Sequence, residues 1–300
     1  MTSADSTSCR EMYRRLYMTR PLSIGLPKIL LTLTLLPLLL VLALVRLLNF
    51  FLFNAAYLVL PRALWRGLLR SDWLHRLILF LAAGIFFRTP GFDDGPGPPR
   101  RLVVMNHHGV QDVFLFQLFQ RIGVTRLVVS YTPDFYARMR RWIFFFDHDF
   151  EVVSVLKRRE LVRAGPHDVT MVFPEGAGKK GPFVLKFQPA MFRLHGEVAP
   201  FAVSFKQAIP LLDAYGVDLP WHKFACFLLL ILSPWTVVTV RQLPPLRFDR
   251  RNPAEASVRC RDVIAKAAGY CALDLLFDQG AFDACVDSSV RRNKTFSCAG

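Results

Sequence analysis

The sequence has few cysteines, and their spacing excludes several classes of protein. The six cysteines lie far apart in a chain of 300 residues, at positions 9, 226, 260, 271, 285 and 298, and none forms a Cys-x-x-Cys pair. Zinc sites and disulfide-rich domains need closely spaced cysteines. Scattered cysteines are typical of reduced thiols in the cytosol, so we expect neither a metal nor a redox cofactor.

Acidic residues are scarce relative to basic ones, with 23 Asp and Glu against 38 Lys and Arg and a formal net charge of +15. A strong positive charge attracts nucleic acids and anionic lipid headgroups alike. Because no recognition-helix, zinc or RNA-binding motif accompanies the charge, we expect no specific nucleic acid partner. The chain is also 53% hydrophobic and contains 27 Phe. This combination favours a protein at a membrane surface.

The N-terminal region lacks a small-residue cleavage site, and its basic lead is too long for a signal peptide. The apolar tract that follows, residues 29–60, is longer than the roughly twenty residues that cross a bilayer once, and Pro37, Arg46, Asn49 and Asn54 interrupt it. Arginines flank both ends of the tract, so the positive-inside rule favours both ends in the cytosol. This pattern favours a re-entrant hairpin in one leaflet over the alternative of one tilted transmembrane helix.

Changes in composition divide the chain into six predicted segments. Residues 77–87 form a second apolar stretch, which is too short to span a bilayer and predicts a helix at the lipid interface or against the next domain. A turn-rich run at residues 93–99 marks the start of that domain. From the N-terminus the segments are a basic cytosolic lead (1–28), a hydrophobic membrane anchor (29–60), amphipathic or interfacial helices (61–92), an α/β domain (93–253), a C-terminal helix (254–276) and a tail (277–300).

The heptapeptide from Asn106 to Asp112, NHHGVQD, holds the strongest candidates for catalytic residues. It follows residues 101–105, which predict a short buried strand, and it precedes residues 113–119, which predict the inner face of a helix. His107 would then lie at the end of the strand, where the Asp112 carboxylate could fold back onto one imidazole nitrogen. The other nitrogen could act as a general base on a substrate hydroxyl. The structural alternative is a polar pair that only caps the helix.

A second apolar strand, predicted over residues 169–173, runs directly into the glycine-rich turn PEGAGKKG at residues 174–181. Glycine exposes backbone N–H groups, and the turn adds the ammonium groups of Lys179 and Lys180. Groups of this kind suit a phosphate or the tail of coenzyme A. We therefore expect this turn to bind an anion.

The pattern Asn-His-x4-Asp, followed by Phe-Pro-Glu-Gly, resembles the first and third motif blocks of the glycerolipid acyltransferase (PlsC-type) family. The resemblance implies an α/β fold with a mixed sheet flanked by helices, preceded here by the predicted hairpin. It implies that His107 deprotonates the hydroxyl of a glycerol-based acceptor, which attacks an acyl-CoA thioester, while Asp112 orients the imidazole. His108 is one residue too close to Asp112 to match the motif. The implied substrate-binding residues are Phe173, Pro174, Glu175, Gly176, Lys179, Lys180 and Pro200.

The chain departs from the family pattern directly after Glu-Gly. Many members carry Thr-Arg there, whereas this chain has Ala177-Gly178 before its two lysines. A lysine replaces the charge of arginine but not its bidentate fork, so the resemblance supports another lysolipid better than lysophosphatidic acid as acceptor. The second motif block has no clear counterpart, and its nearest candidate lies within residues 144–158. The wider pattern is most similar to the branch that holds the lysophosphatidylcholine acyltransferases and ancient ubiquitous protein 1.

The resemblance implies a membrane-associated lysophospholipid acyltransferase with acyl-CoA as co-substrate and no further cofactor. It implies the cytosolic face of the endoplasmic reticulum membrane, and the lipid droplet as well, because a one-leaflet anchor can enter a monolayer. The expected partners are membrane lipid, acyl-CoA and the droplet monolayer. The alternative is a non-catalytic acyltransferase-fold scaffold, related to ancient ubiquitous protein 1, that regulates lipid droplets and recruits protein-degradation machinery. The intact pair of His107 and Asp112 favours chemistry.

Overall fold

The structure is a computed structural model of the 300-residue chain. Several features named above lie outside the residues that it describes: Lys179, Lys180, the turn-rich run at 93–99 and the predicted tail at 277–300. The described residues are 26–89, 102–129, 133–144, 147–154, 168–176, 183–193, 196–208 and 233–274.

The predicted hairpin anchor is wrong, because Leu26–Val59 form one continuous helix, α1. Pro37 lies inside this helix without ending it. Proline fixes φ at a value that a helix accepts, and no glycine lies in the tract to reverse the chain. At 1.5 Å per residue α1 is about 50 Å long. Its segment Leu33–Val59 is the one helix among the described residues that is long and apolar enough to cross a membrane.

Arg46 is one of the residues through which α1 packs against the rest of the chain, after the buried Leu39 and Ala43. Its guanidinium is buried and donates hydrogen bonds to the carbonyl oxygens of Ser233 and Pro234. Gly84 lies against the guanidinium, since a Cβ atom built there would overlap Arg46 Nη2. The hydrogen bonds of Arg46 join the helix to the segment that leads into the strand at residues 236–242.

The two asparagines of the apolar tract also bind backbone groups of the domain. Asn49 Nδ2 donates to the carbonyl oxygen of Leu81 at 3.3 Å, and Asn54 Oδ1 accepts from the backbone N–H of Phe144 at 3.1 Å. Tyr57, one turn further, is buried in the core. The polar residues that interrupt the tract in sequence therefore attach the second half of α1 to the domain.

Two short helices and a strand follow α1. Helix α2 spans Arg62–Arg70, helix α3 spans Asp72–Ala83, and strand β1 spans Ile85–Arg88. The helix predicted over residues 77–87 therefore ends earlier than expected, because Gly84 adopts the left-handed conformation (φ 66°) that stops α3. Residues 85–88 then join the sheet, parallel to a strand from the end of the domain.

The remaining strands and helices form a mixed α/β layer structure. The strands after β1 are β2 Leu102–Met105, β3 Arg126–Val129, β4 Glu151–Ser154, β5 Thr170–Val172, β6 Phe183–Val184, β7 Glu197–Gln207, β8 Thr236–Gln242, β9 Leu246–Arg247 and β10 Cys271–Ala272. Along the main sheet the strand order is β1-β8-β7-β2-β5-β3-β4, and β9 pairs with β7. Strand β7 is antiparallel to β8 and β9, and the other pairs of this sheet are parallel. The other helices are α4 Phe116–Arg121, α5 Pro133–Trp142 and α6 Pro253–Ala268, with 3₁₀ turns at Gly109–Leu115 and Pro189–Arg193.

Hydrophobic cores cover both faces of the sheet. Strand β2 is buried at every residue, with Val103 and Met105 in the core beside α2, α3 and α4, and Leu102 and Val104 in the core beside α6. A strand buried on both faces has a continuous apolar sequence rather than an alternating one. The predicted fold class, an α/β fold with a mixed sheet flanked by helices, is confirmed, and so are the strands predicted before His107 and before Pro174.

Candidate active site

His107 lies just beyond the carboxyl end of β2, at the edge where parallel strands of α/β sheets present their functional residues. The side chain of Asn106 extends the sheet at this point. Its Nδ2 donates to the carbonyl oxygen of Val203 and its Oδ1 accepts from the Val203 N–H, both at 2.8 Å. Because Asn106 is fully buried, this pair of bonds fixes the chain direction immediately before His107.

His107 and Asp112 form a direct side-chain contact, as the spacing predicts. His107 Nδ1 lies 2.5 Å from Asp112 Oδ2, and the same oxygen accepts from the backbone N–H of His108 at 2.9 Å. The 3₁₀ turn at Gly109–Leu115 carries Asp112 back towards the strand end. The contact thus depends on a 3₁₀ turn, which is tighter than an α-helical turn. The α-helix predicted over residues 113–119 begins only at Phe116.

The protonation state of the pair follows from its surroundings. Burial raises the pKa of the Asp112 carboxyl, but hydrogen bonds from His107 and His108 outweigh burial and hold that pKa at about 2. The carboxylate is therefore ionised near neutral pH and can only accept hydrogen bonds. His107 Nδ1 consequently carries the proton, and in the neutral imidazole Nε2 carries the lone pair. About a fifth of the His107 side chain, 22%, is exposed, against 4% for Asp112.

His108 has a different role from its neighbour. Its side chain is 7% exposed, and its ring packs against Phe205 at 4.8 Å and Tyr270 at 5.9 Å between centroids. Its Nδ1 lies 3.7 Å from Asp112 Oδ1, too far for a hydrogen bond. His108 is thus a packed residue beside the site, and its geometry fits the base role less well than that of His107.

The predicted turn after β5 reaches the site through an aromatic contact and a buried carboxylate. The Phe173 ring lies 4.6 Å from the His107 ring at 30°, which holds the imidazole on one face. Glu175 is fully buried, and its two oxygens accept from the backbone N–H groups of His107 at 2.9 Å and Leu185 at 2.8 Å. Gly176 then adopts φ 82°, which glycine tolerates best.

These contacts change the interpretation of Glu175. The resemblance implies that Glu175 binds substrate, yet its carboxylate bonds to two backbone amides and has no exposed surface. A carboxylate held in this way positions the main chain on which His107 is carried. We therefore interpret Glu175 as a positioning residue.

The two prolines that the resemblance implies in substrate binding, Pro174 and Pro200, are buried as well. Pro174 is buried, and its carbonyl oxygen accepts from the Gln188 N–H at 2.8 Å. Pro200 pairs with Val104 inside the sheet, and its carbonyl accepts from the Leu243 N–H where β8 has ended and β9 has not begun. A proline lacks the N–H that a strand neighbour would require, and this break in pairing accommodates it. The predicted substrate contacts of both prolines stay predictions.

Sequence analysis missed three residues around the site. Leu185 contributes only its backbone N–H, and Phe205 and Tyr270 contribute rings that pack on His108. No motif marks them, because a backbone donor has no side-chain signature and the aromatic residues lie far along the chain from His108. Only the arrangement of the strands brings them to the site.

The similarity of this chain to known proteins lies in its structure rather than in its sequence. No protein-family model matches the chain, and no curated protein sequence matches it. Among solved structures, the chain is similar to the crystal structure of the 1-acyl-sn-glycerophosphate (LPA) acyltransferase, PlsC, from Thermotoga maritima, at 18% identity and a TM-score of 0.44. The alignment covers 74% of this chain and 97% of that chain. A likeness of this strength carries no functional argument.

Proposed function

We propose that this protein is a membrane-associated, acyl-CoA-dependent lysophospholipid acyltransferase in which His107 is the general base and Asp112 orients it. The observation that carries the proposal is the 2.5 Å contact between His107 Nδ1 and the buried Asp112 carboxylate. The pair lies in the NHHGVQD motif, whose resemblance to the PlsC-type family supports acyl transfer to a hydroxyl rather than another base-catalysed reaction.

The proposed reaction starts when His107 Nε2 takes the proton of a lysophospholipid hydroxyl. The hydroxyl oxygen attacks the carbonyl carbon of the acyl-CoA thioester, so that a C–O bond forms and the C–S bond breaks. The imidazolium then returns the proton to the departing thiolate. Between these steps the Asp112 carboxylate stabilises the positive charge of the imidazolium, because its low pKa keeps it ionised.

Two further parts of the site belong to the proposal. The developing oxyanion needs hydrogen-bond donors, and we assign this role to backbone N–H groups near Gly109, where the 3₁₀ turn begins. Lys179 and Lys180 lie outside the described residues and are assigned to the anionic groups of the substrates on their charge alone.

Membrane association is supported by the first part of α1. Twenty residues of the helix, 26–45, precede Arg46, and at 1.5 Å per residue they extend about 30 Å, the thickness of the hydrocarbon layer. Leu38 and Leu44 in this part expose 65% and 66% of their surface. We propose the endoplasmic reticulum membrane as the location. The lipid droplet stays a prediction, because its physical basis was a one-leaflet hairpin that α1 does not form.

The proposed function is tested with purified full-length protein in lipid nanodiscs. Transfer from labelled acyl-CoA to a panel of lysolipids is measured for the native chain, His107→Ala and His108→Ala. We expect transfer by the native chain, a loss of about 10²- to 10⁴-fold in His107→Ala, and a much smaller loss in His108→Ala. Thermal unfolding of all three proteins checks that the variants fold.

The same assay decides between the enzyme and the scaffold. Transfer that survives His107→Ala but is lost in His108→Ala would assign the base to His108. No transfer above the protein-free background by any of the three folded proteins would reject the enzyme and favour the non-catalytic scaffold. The panel also identifies the acceptor, including whether lysophosphatidic acid is used without the arginine that follows Glu-Gly in many family members.

A further inference from the structure

The segment that follows α6, residues 270–274, contacts the candidate active site from one side. The Tyr270 ring packs on His108 at 5.9 Å between centroids, and its hydroxyl oxygen accepts from the Phe205 N–H at 3.3 Å. The predicted C-terminal helix over 254–276 ends at Ala268, because Gly269 takes the left-handed conformation and turns the chain towards the site. Residues beyond the helix thus become part of the surroundings of the site.

The next residues of this segment bind β6. Strand β10 pairs in parallel with β6, with Cys271 opposite Phe183 and Ala272 opposite Val184. The Leu273 N–H then donates to the Val184 carbonyl oxygen at 2.8 Å. These bonds form a two-stranded sheet separate from the main one, and within the described residues β10 is the strand that pairs with β6.

Strand β6 leads directly to the buried carboxylate beneath His107. Leu185, the residue after β6, donates its N–H to Glu175 Oε2, while Glu175 Oε1 accepts from the His107 N–H. A continuous series of hydrogen bonds therefore runs from β10 through β6 and Glu175 to the backbone of His107. A shift of β6 moves one of the two donors that hold this carboxylate.

Arg261 attaches β10 to α6. Its Nη1 donates to the Leu273 carbonyl oxygen at 3.2 Å and to Asp274 Oδ1 at 2.5 Å. On the other side its guanidinium binds Asp262, the next residue of α6, at 2.8 Å. The Arg261 side chain is only 6% exposed, so its interactions are screened less by water than those of an ordinary surface ion pair. Helix α6 is anchored in the second hydrophobic core through Cys260 and Ile264.

We propose that Arg261 and Asp274 are positioning residues for the active site: they hold β10 against β6, and β6 holds Glu175 on the backbone of His107. This inference rests on the proposed function for its effect on catalysis, although its structural part does not. A displacement of well under an ångström at a catalytic base lowers the rate without weakening substrate binding. Loss of the contact between Arg261 and Asp274 is therefore expected to lower kcat and to leave KM for acyl-CoA and for the lysolipid unchanged.

The test compares Asp274→Ala with a matched control, Asp262→Asn. Both changes remove a carboxylate from the same guanidinium, but Asp262 lies on α6 and does not touch β10. Asp274 exposes 78% of its side chain, so its replacement leaves the fold intact. We expect Asp274→Ala to lower kcat about fivefold with unchanged KM values, and Asp262→Asn to leave kcat unchanged.

A second measurement does not depend on activity. Hydrogen exchange of the backbone amides in residues 183–187, followed by mass spectrometry, is expected to accelerate in Asp274→Ala but not in Asp262→Asn. The rate at which diethyl pyrocarbonate modifies His107 is expected to change in parallel. Equal exchange and equal kcat in the two variants would overturn the positioning role. If the native chain transfers no acyl group, the proposed function fails, and the exchange measurement alone decides whether Arg261 and Asp274 hold β6.

Discussion

At the residue scale, the two buried carboxylates of the site have different roles. Asp112 bonds to an imidazole, so its charge acts on the group that exchanges protons. Glu175 bonds to two backbone amides, so it acts on the position of the chain. The residue type does not reveal which carboxylate has which role, because both are acidic residues in motif blocks next to strand ends. The identity of the donor atoms separates them.

The first prediction concerns the dependence of stability on pH. The pKa of Asp112 is about 2 in the folded protein and about 3.9 in an unfolded chain. Between these values the unfolded state binds more protons, so the stabilisation is complete above about pH 5 and is lost as the pH falls through 2. The expected loss is on the order of 2 kcal/mol. Thermal unfolding from pH 5 to 2 should show a shallower decline for Asp112→Asn than for the native chain. Equal slopes would contradict the low pKa.

At the element scale, the contact between Arg46 and Gly84 decides how the N-terminal helix meets the sheet. Gly84 ends α3 with φ 66°, its carbonyl oxygen accepts from the Thr236 N–H at 2.9 Å, and its Cα lies under the guanidinium of Arg46. Gly84 therefore ends α3, precedes β1 and allows the guanidinium of Arg46 to approach the backbone closely. An alanine at position 84 would destabilise the folded protein in two ways, through a strained backbone conformation and through the collision of its Cβ with Arg46.

The second prediction separates these penalties. Gly123→Ala carries only the backbone penalty, because its φ is 78° and nothing lies within 4 Å of the new Cβ, and we expect a destabilisation of about 1 kcal/mol. Gly84→Ala must also displace Arg46, so we expect it to lower the free energy of unfolding by clearly more. Chemical denaturation of both variants in detergent measures the difference.

The background variant Arg46→Met tests the origin of that difference. Without the guanidinium, the cost of Gly84→Ala is expected to approach the cost of Gly123→Ala. An unchanged cost in the Arg46→Met background would show that the collision with Arg46 does not contribute.

At the scale of the whole molecule, α1 is both part of the core and a large exposed apolar surface. Tyr57 is 3% exposed and packs with Trp65 at 5.8 Å, whereas Leu40, Leu44 and Leu48 expose between 48% and 66% of their surface. Exposed apolar area on this scale is unfavourable in water and favourable in a bilayer. The helix therefore couples the position of the domain to the position of the membrane.

The third prediction replaces Leu36, Leu40 and Leu44, all of which precede Arg46, together by glutamate. These residues follow one another at intervals of four and lie on one exposed side of the helix, so the change removes apolar surface while leaving the packed side intact. Each charge within the hydrocarbon layer costs about 3 kcal/mol on insertion scales. We expect the variant to leave the membrane fraction after carbonate extraction. The matched control, methionine at the same positions, should remain there, and a glutamate variant that also remains would contradict the role of this surface.

The two strands beside the site were predictable because they carry local signals. Strands β2 and β5 are continuous apolar runs, so hydrophobicity alone located them. The anchor was not predictable in the same way. A proline and an arginine within a lipid-embedded tract favour a bend, and Pro37 and Arg46 therefore predicted one. In the fold, however, the Arg46 guanidinium donates hydrogen bonds to carbonyl oxygens more than 180 residues away.

The sequence by itself determined the two strands beside the site and the contact between His107 and Asp112, because these two residues are separated by a single turn and need no distant partner to meet. Only the tertiary structure decided what surrounds them. Glu175 reaches His107 across 68 positions and Asn106 reaches Val203 across 97. Such contacts depend on the order and register of strands, which side-chain periodicity does not specify. The register places the carboxylate of Glu175, a predicted substrate ligand, against the backbone N–H of His107.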